Sequence, residues 1–157
     1  MGRRSFVPPV QAAVGGWRVN LDPEERALLV RLMGELRDLL VEGDGPLLER
    51  LFPTAYPDDP DAEAEYQRLM REELVASRIE AIGTVTTTLG PEGPELLTEA
   101  QTLALMQSVN AVRLVLGTML GIDDDDAAER ADAGSSPEQQ LYGYLSWLLE
   151  WTVQSLS

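Results

Sequence analysis

The chain has no histidine, no cysteine and no lysine; all twelve of its basic residues are arginine. Each absence removes a class of chemistry. Without histidine there is no imidazole base and no side chain that ordinarily titrates near neutrality. Without cysteine there is no thiolate nucleophile, no disulfide and no thiol switch. Without lysine there is no Schiff base and no phosphate-loop lysine. Hydroxyls, arginine and carboxylates remain. Such a chain is expected to bind rather than to turn over a substrate, and no catalytic residue, cofactor or metal is assigned to it.

What is present bounds the rest. A chain of 157 residues with 44% apolar side chains suits one packed domain of ordinary size. No apolar run approaches the roughly 18 residues a bilayer span requires, so no membrane association is expected. The start Met1-Gly2-Arg3-Arg4 is not followed by an apolar stretch, because Pro8 and Pro9 interrupt it. A signal peptide is therefore not expected, and a cytoplasmic location is the default. The net charge of −15 repels nucleic acid, whose binders carry a basic footprint. Direct DNA binding is not expected; Arg3, Arg4 and Arg18 read as solvated charges.

Along the chain, residues 1–9 read as an irregular arm and 10–156 as a single helical domain. Val10–Val14 and Trp17–Leu21 read as two short strands around a Gly15-Gly16 turn. Asp22-Pro23 caps a first helix. Its residues Leu28, Leu29, Leu32, Met33, Leu36, Leu39 and Leu40 share one stripe. Gly43 to Pro46 ends it, and a short helical turn is expected before Pro53. Asp59-Pro60 starts a second helix that can run to Leu89. Its apolar face drifts: Tyr66, Leu69, Met70 and Leu74 point one way, Ile79, Ile82, Val85 and Leu89 another. Two neighbours must cover it, or it must bend between Ser77 and Gly83. Thr98 and Gln101 form a capping box for a third helix that ends at Leu120 with Gly121 as its stop. That helix is apolar on most sides, which marks it as central. An acidic linker follows at 122–135, and Ser136-Pro137-Glu138-Gln139 caps a last helix running to about Ser155. The expected architecture is an all-α bundle of four main helices and a short fifth, with a small N-terminal β-hairpin.

Two constellations stand out. Asn110 and Arg113 lie on the central helix, with Arg113 between Met106 and Leu120 by angle. A buried guanidinium needs a partner. The sequence admits an ion pair with Glu72, Glu73 or Glu80, a ligand or partner anion, or an Arg113 that reaches solvent. On the last helix, Leu141, Leu145, Leu148, Leu149, Thr152 and Leu156 already make a core stripe. Tyr144, Trp147 and Trp151 form a second stripe beside it. Such a helix is either wrapped by the bundle or docks on a partner or a second copy, which makes these three the partner-binding candidates. The acidic runs Asp123–Asp126 and Asp58–Asp61 lack the alternating ligands of a calcium loop. Glu92/Glu95 and Glu129/Asp132 lie in loops rather than on facing helices, so a Mg²⁺ carboxylate site is not favoured.

Four segments carry a family resemblance: Leu21-Asp-Pro-Glu-Glu-Arg-Ala-Leu-Leu29, Leu51-Phe-Pro-Thr-Ala-Tyr56, Asn110-Ala-Val-Arg-Leu-Val-Leu-Gly-Thr118, and Leu141-Tyr142 leading into Leu145-Ser-Trp-Leu148. Their order and spacing resemble an actinobacterial helical family catalogued as a domain of unknown function, number two-zero-one-seven. The resemblance implies an intracellular, non-enzymatic protein. Its members are often encoded beside a Clp protease adaptor and cysteine-biosynthesis genes. Part of the family is labelled oxidative-stress transcription regulator, acting through an alternative sigma factor by means of cysteines. This chain has none, so any regulatory role must proceed without a thiol switch. The matched Asn110, Arg113 and Gly117 are read as structural.

Overall fold

A computed structural model describes residues 6–42, 46–121 and 136–157. The acidic linker 122–135, the Gly43–Gly45 helix end and the start of the N-terminal arm lie outside the described residues.

Strands β1 (Val10–Ala13) and β2 (Gly16–Val19) form the antiparallel hairpin, with Ala13 opposite Gly16. The turn is therefore Val14-Gly15, one residue earlier than the sequence suggested. Gly15 supplies the positive φ of +91° while Val14 stays negative, the sign pattern of a type II turn. Gly16 answers a different demand. The Trp17 N–H donates to the Leu97 carbonyl at 2.9 Å, and the Leu97 N–H returns to the Trp17 carbonyl at 2.7 Å. A Cβ at Gly16 would lie 2.5 Å from the Leu97 carbonyl oxygen. An isolated hairpin is marginal in water. This one buries Val10 and Val19 and is held at its far side by the Trp17 indole N–H, which donates to the Ser155 carbonyl at 2.9 Å.

Helix α1 (Pro23–Glu42) begins with a reciprocal cap. Asp22 Oδ1 accepts the Glu25 N–H at 2.8 Å, and Glu25 Oε1 accepts the Asp22 N–H at 3.3 Å. Its stripe buries Leu29, Met33, Leu36 and Leu40. A short 3-10 helix (Pro46–Leu51) follows and buries Leu48 and Leu51.

Helix α2 (Pro60–Leu89) is capped by Asp59, whose Oδ1 accepts the Ala62 N–H at 3.1 Å. It is continuous through Ser77 and Gly83. Its drifting apolar face is resolved by uneven burial. Ile82, Val85 and Leu89 enter the core, Tyr66, Met70 and Leu74 are half-buried, and Leu69 remains 59% exposed. Two neighbours, α1 and the next helix in the chain, pack against it.

Helix α3 (Glu99–Leu120) carries the predicted Thr98/Gln101 capping box and ends at Gly121, φ +67°. It touches α1, α2, the 3-10 helix, β2 and the last helix, α4 (Pro137–Ser155), and so occupies the centre. By length and apolar composition α3 is also sufficient to cross a membrane, contrary to the sequence-based expectation. In the bundle the neighbouring elements bury Leu105, Val109, Val112, Val115 and Leu116, while Leu103 and Met119 stay exposed. The Ser136/Gln139 box caps α4 in both directions. One hydrophobic cluster joins β1, β2 and all the helices. The described residues thus form the expected all-α bundle: four long helices, one short helix and an N-terminal hairpin.

Candidate functional site

The three aromatic candidates on α4 meet three different surroundings. Tyr144 is half-buried, and its hydroxyl donates to Glu25 Oε2 at 2.7 Å. Glu25 thereby caps α1 and holds α4 at once. Burial, followed by the Glu25 hydrogen bond and charge and the Asp22 charge, pushes the Tyr144 hydroxyl well above the ordinary tyrosine pKa. It stays protonated as a donor. Trp151 is half-buried and packs against Phe6, ring centroids 5.4 Å apart. Trp147 leans on Tyr144 at 5.9 Å yet remains 39% exposed. Phe6 is itself 64% exposed, so it and Trp147 present apolar surface to solvent at this side of α4. Sequence reasoning missed Phe6 and Glu25. Their contacts with Trp151 and Tyr144 had no local signal, because each joins residues far apart in the chain.

The Arg113 expectation requires correction. Glu72, Glu73 and Glu80 are all exposed and do not pair with it. Its Nη1 donates to the Tyr142 hydroxyl at 3.0 Å and its Nη2 to Asn110 Oδ1 at 3.3 Å. The guanidinium also lies 5.6 Å from the Tyr142 ring centroid, within cation–π range. Its Nε is buried without a partner. The physical reason is orientation: Arg113 faces α4 rather than α2, and α4 offers a buried tyrosine there. Asn110, Arg113 and Tyr142 together fasten α3 to α4. Gly117, on the same helix, is buried, which suits close packing.

Other predicted features are mostly local. Asp59 of the Asp58–Asp61 run is a helix cap, and the Asp123–Asp126 run and the Glu129/Asp132 pair lie outside the described residues. Glu92 and Glu95 are exposed in the loop before α3. A feature the sequence did not reveal is an apolar groove of about 240 Å³ between α1, α3 and α4. Leu32, Leu39, Val115 and Met119 form its walls, and Glu35 and Glu138 stand at its edges.

Among curated proteins, one from Mycobacterium leprae, named "Putative oxidative stress regulator AosR", is 32% identical, with 89% of this chain and 82% of that protein covered. No solved structure matches. Residues 6–156 match the family described as domain of unknown function (DUF2017). The sequence resemblance is therefore borne out, and the chain belongs to the DUF2017 family.

Proposed function

We propose that the chain is a non-enzymatic regulatory protein that acts in the cytoplasm by docking a protein partner on the Trp147 side of α4. The observation that carries this reading is Trp147. It is a large aromatic left 39% exposed beside two neighbours that are already engaged, Tyr144 on Glu25 and Trp151 on Phe6. Exposed aromatic side chains of this kind are frequent interface anchors. The net charge of −15 favours a partner with a basic rim around an apolar centre, recruited faster at low salt.

The name of the mycobacterial relative supports a regulatory role connected with oxidative stress. A component of the transcription machinery such as a sigma factor is the partner the family resemblance suggests. The absence of cysteine means that any such role here proceeds by constitutive docking or by an input other than a thiol. The ligand alternative centred on Arg113 loses support, because Tyr142 and Asn110 already engage that side chain.

The test is affinity capture from the native host with wild-type and Trp147→Ala baits of equal helicity. A basic protein retained by the wild type and lost from the variant supports the reading. Equal retention by both rejects it. Light scattering on the purified chain separates partner docking from self-association: mass above monomer that falls with Trp147→Ala assigns the surface to a second copy.

A further inference from the structure

Away from α4, helices α2 and α3 do not close fully on each other. Between them and α1 lies a cavity of about 200 Å³. Leu36, Leu74, Ile82 and Ala111 give it an apolar floor, and it opens beside the exposed Ser77 and Gln107. Two further polar side chains line it, Arg78 from α2 and Ser108 from α3.

Both differ from their counterparts elsewhere in the chain. The buried hydroxyls of Thr88, Thr102 and Thr152 each donate to a main-chain carbonyl. Ser108 is only 3% exposed, yet its Oγ has no partner. A buried unpaired hydroxyl leaves its desolvation uncompensated, so its persistence asks for a reason. Among the half-buried arginines, Arg26 donates to the Val19 and Leu21 carbonyls, Arg71 lies over the Phe52 ring, and Arg113 holds Tyr142 and Asn110. The Arg78 Nε is buried with no partner, as is that of Arg113, but Arg78 has no side-chain hydrogen bond like those of Arg113, and no carboxylate among the described residues pairs with it. Acids are not scarce, since the chain has 27 against twelve arginines. Burial alone draws the Arg78 pKa down from its ordinary value, with no acid opposing it.

We propose that this cavity binds a small monocarboxylate. The carboxylate would accept from the Arg78 guanidinium and the Ser108 hydroxyl, a charge-assisted arrangement that suits the planar arginine fork. The apolar body would lie on Leu36, Leu74, Ile82 and Ala111. An apolar cavity of about 150 Å³ holds benzene, so the space here suits a body of benzoate or isovalerate size. A second negative charge would find no second cation along the lining and would meet the acidic field of the chain. The site involves α1, α2 and α3 only. It stands or falls independently of the Trp147 surface.

The test is isothermal titration of the full chain with benzoate, isovalerate, the neutral isostere benzamide, and inorganic phosphate, with thermal melts alongside. Benzoate or isovalerate is expected to bind and to raise Tm, with benzamide at least tenfold weaker. Arg78→Gln is expected to lose tenfold or more of the carboxylate affinity without lowering the ligand-free Tm, and Ser108→Ala to lose a few-fold. Ala111→Leu, which fills the floor, is expected to exclude the ligand and provides a second probe should Arg78→Gln fold poorly. Any of four results overturns the proposal: no carboxylate binding at millimolar concentration, equal binding of benzoate and benzamide, binding of phosphate alone, or carboxylate affinity unchanged in a folded Arg78→Gln or Ala111→Leu variant.

Discussion

On the side of the bundle that holds α4, polar groups find one another across elements: Arg113 of α3 with Tyr142, Tyr144 with Glu25 of α1, and Trp17 of β2 with the end of α4. On the α2 flank of α3, Ser108 and Arg78 face a cavity without partners. On the first side these groups hydrogen-bond to one another within the chain, with Arg113 Nε left unpaired. What it still offers outward is apolar area at Trp147 and Phe6, the kind of surface another protein covers. The second flank retains directional polarity in a small open cavity, which suits a compact charged group. One helix thus lies between the two surfaces for which recognition is proposed.

The strongest way to break this comparison is to truncate each flank. Leu145→Ala, at a fully buried position on α4, should lower unfolding free energy by about 2–5 kcal/mol. Leu69→Ala on the exposed stretch of α2 should change it by no more than about 0.5 kcal/mol. Urea melts of the two variants decide this; similar losses would contradict the burial of Leu145 and the exposure of Leu69.

A smaller effect is expected at Tyr144. Its raised pKa means that the folded state resists ionisation. The associated stability is complete below the unfolded tyrosine pKa near 10 and is lost as pH rises from there toward the higher folded value. The chain has no lysine or cysteine to add to that alkaline loss. Tyr144→Phe should cost about 1 kcal/mol at neutral pH and flatten the alkaline loss of stability. Thermal melts between neutral pH and pH 11 measure both. An alkaline slope identical to wild type would remove Glu25–Tyr144 from the account.

The smallest expected change is at Ser108. Replacing an unpaired buried hydroxyl by a methyl group should leave stability unchanged or raise it by up to about 1 kcal/mol. A marked loss on Ser108→Ala in a urea melt would mean that the hydroxyl is already satisfied, and the contrast between flanks would weaken.

The parts of this structure that were legible in the sequence are those decided within a few residues. Asp22, Asp59, Thr98 and Ser136 cap helices where their neighbours Pro23, Pro60, Gln101 and Gln139 say they should, and Gly121 stops α3. Capping is a matter of three or four adjacent groups, so local pattern suffices. The hairpin turn was displaced by one residue because Gly16 is fixed by Leu97, far along the chain. Arg113 was correctly placed on the central helix, but its partner was not, because angle around one helix does not name the helix opposite. The aromatic stripe was visible as a stripe. That Tyr144 would be held by Glu25 and Trp151 covered by Phe6, leaving Trp147 bare, follows only from packing. The Arg78–Ser108 cavity had no sequence signal, since an arginine and a serine on two helices become notable only when nothing pairs with them.

Trp147 is the proposed contact through which this chain would meet another protein. Its direct test is the dissociation constant of the captured partner for wild-type protein and for Trp147→Ala, measured by calorimetry with far-UV circular dichroism confirming the fold. An anchor of this kind, worth about 2–4 kcal/mol, predicts weakening of roughly 30-fold or more. An affinity indistinguishable from wild type would contradict it.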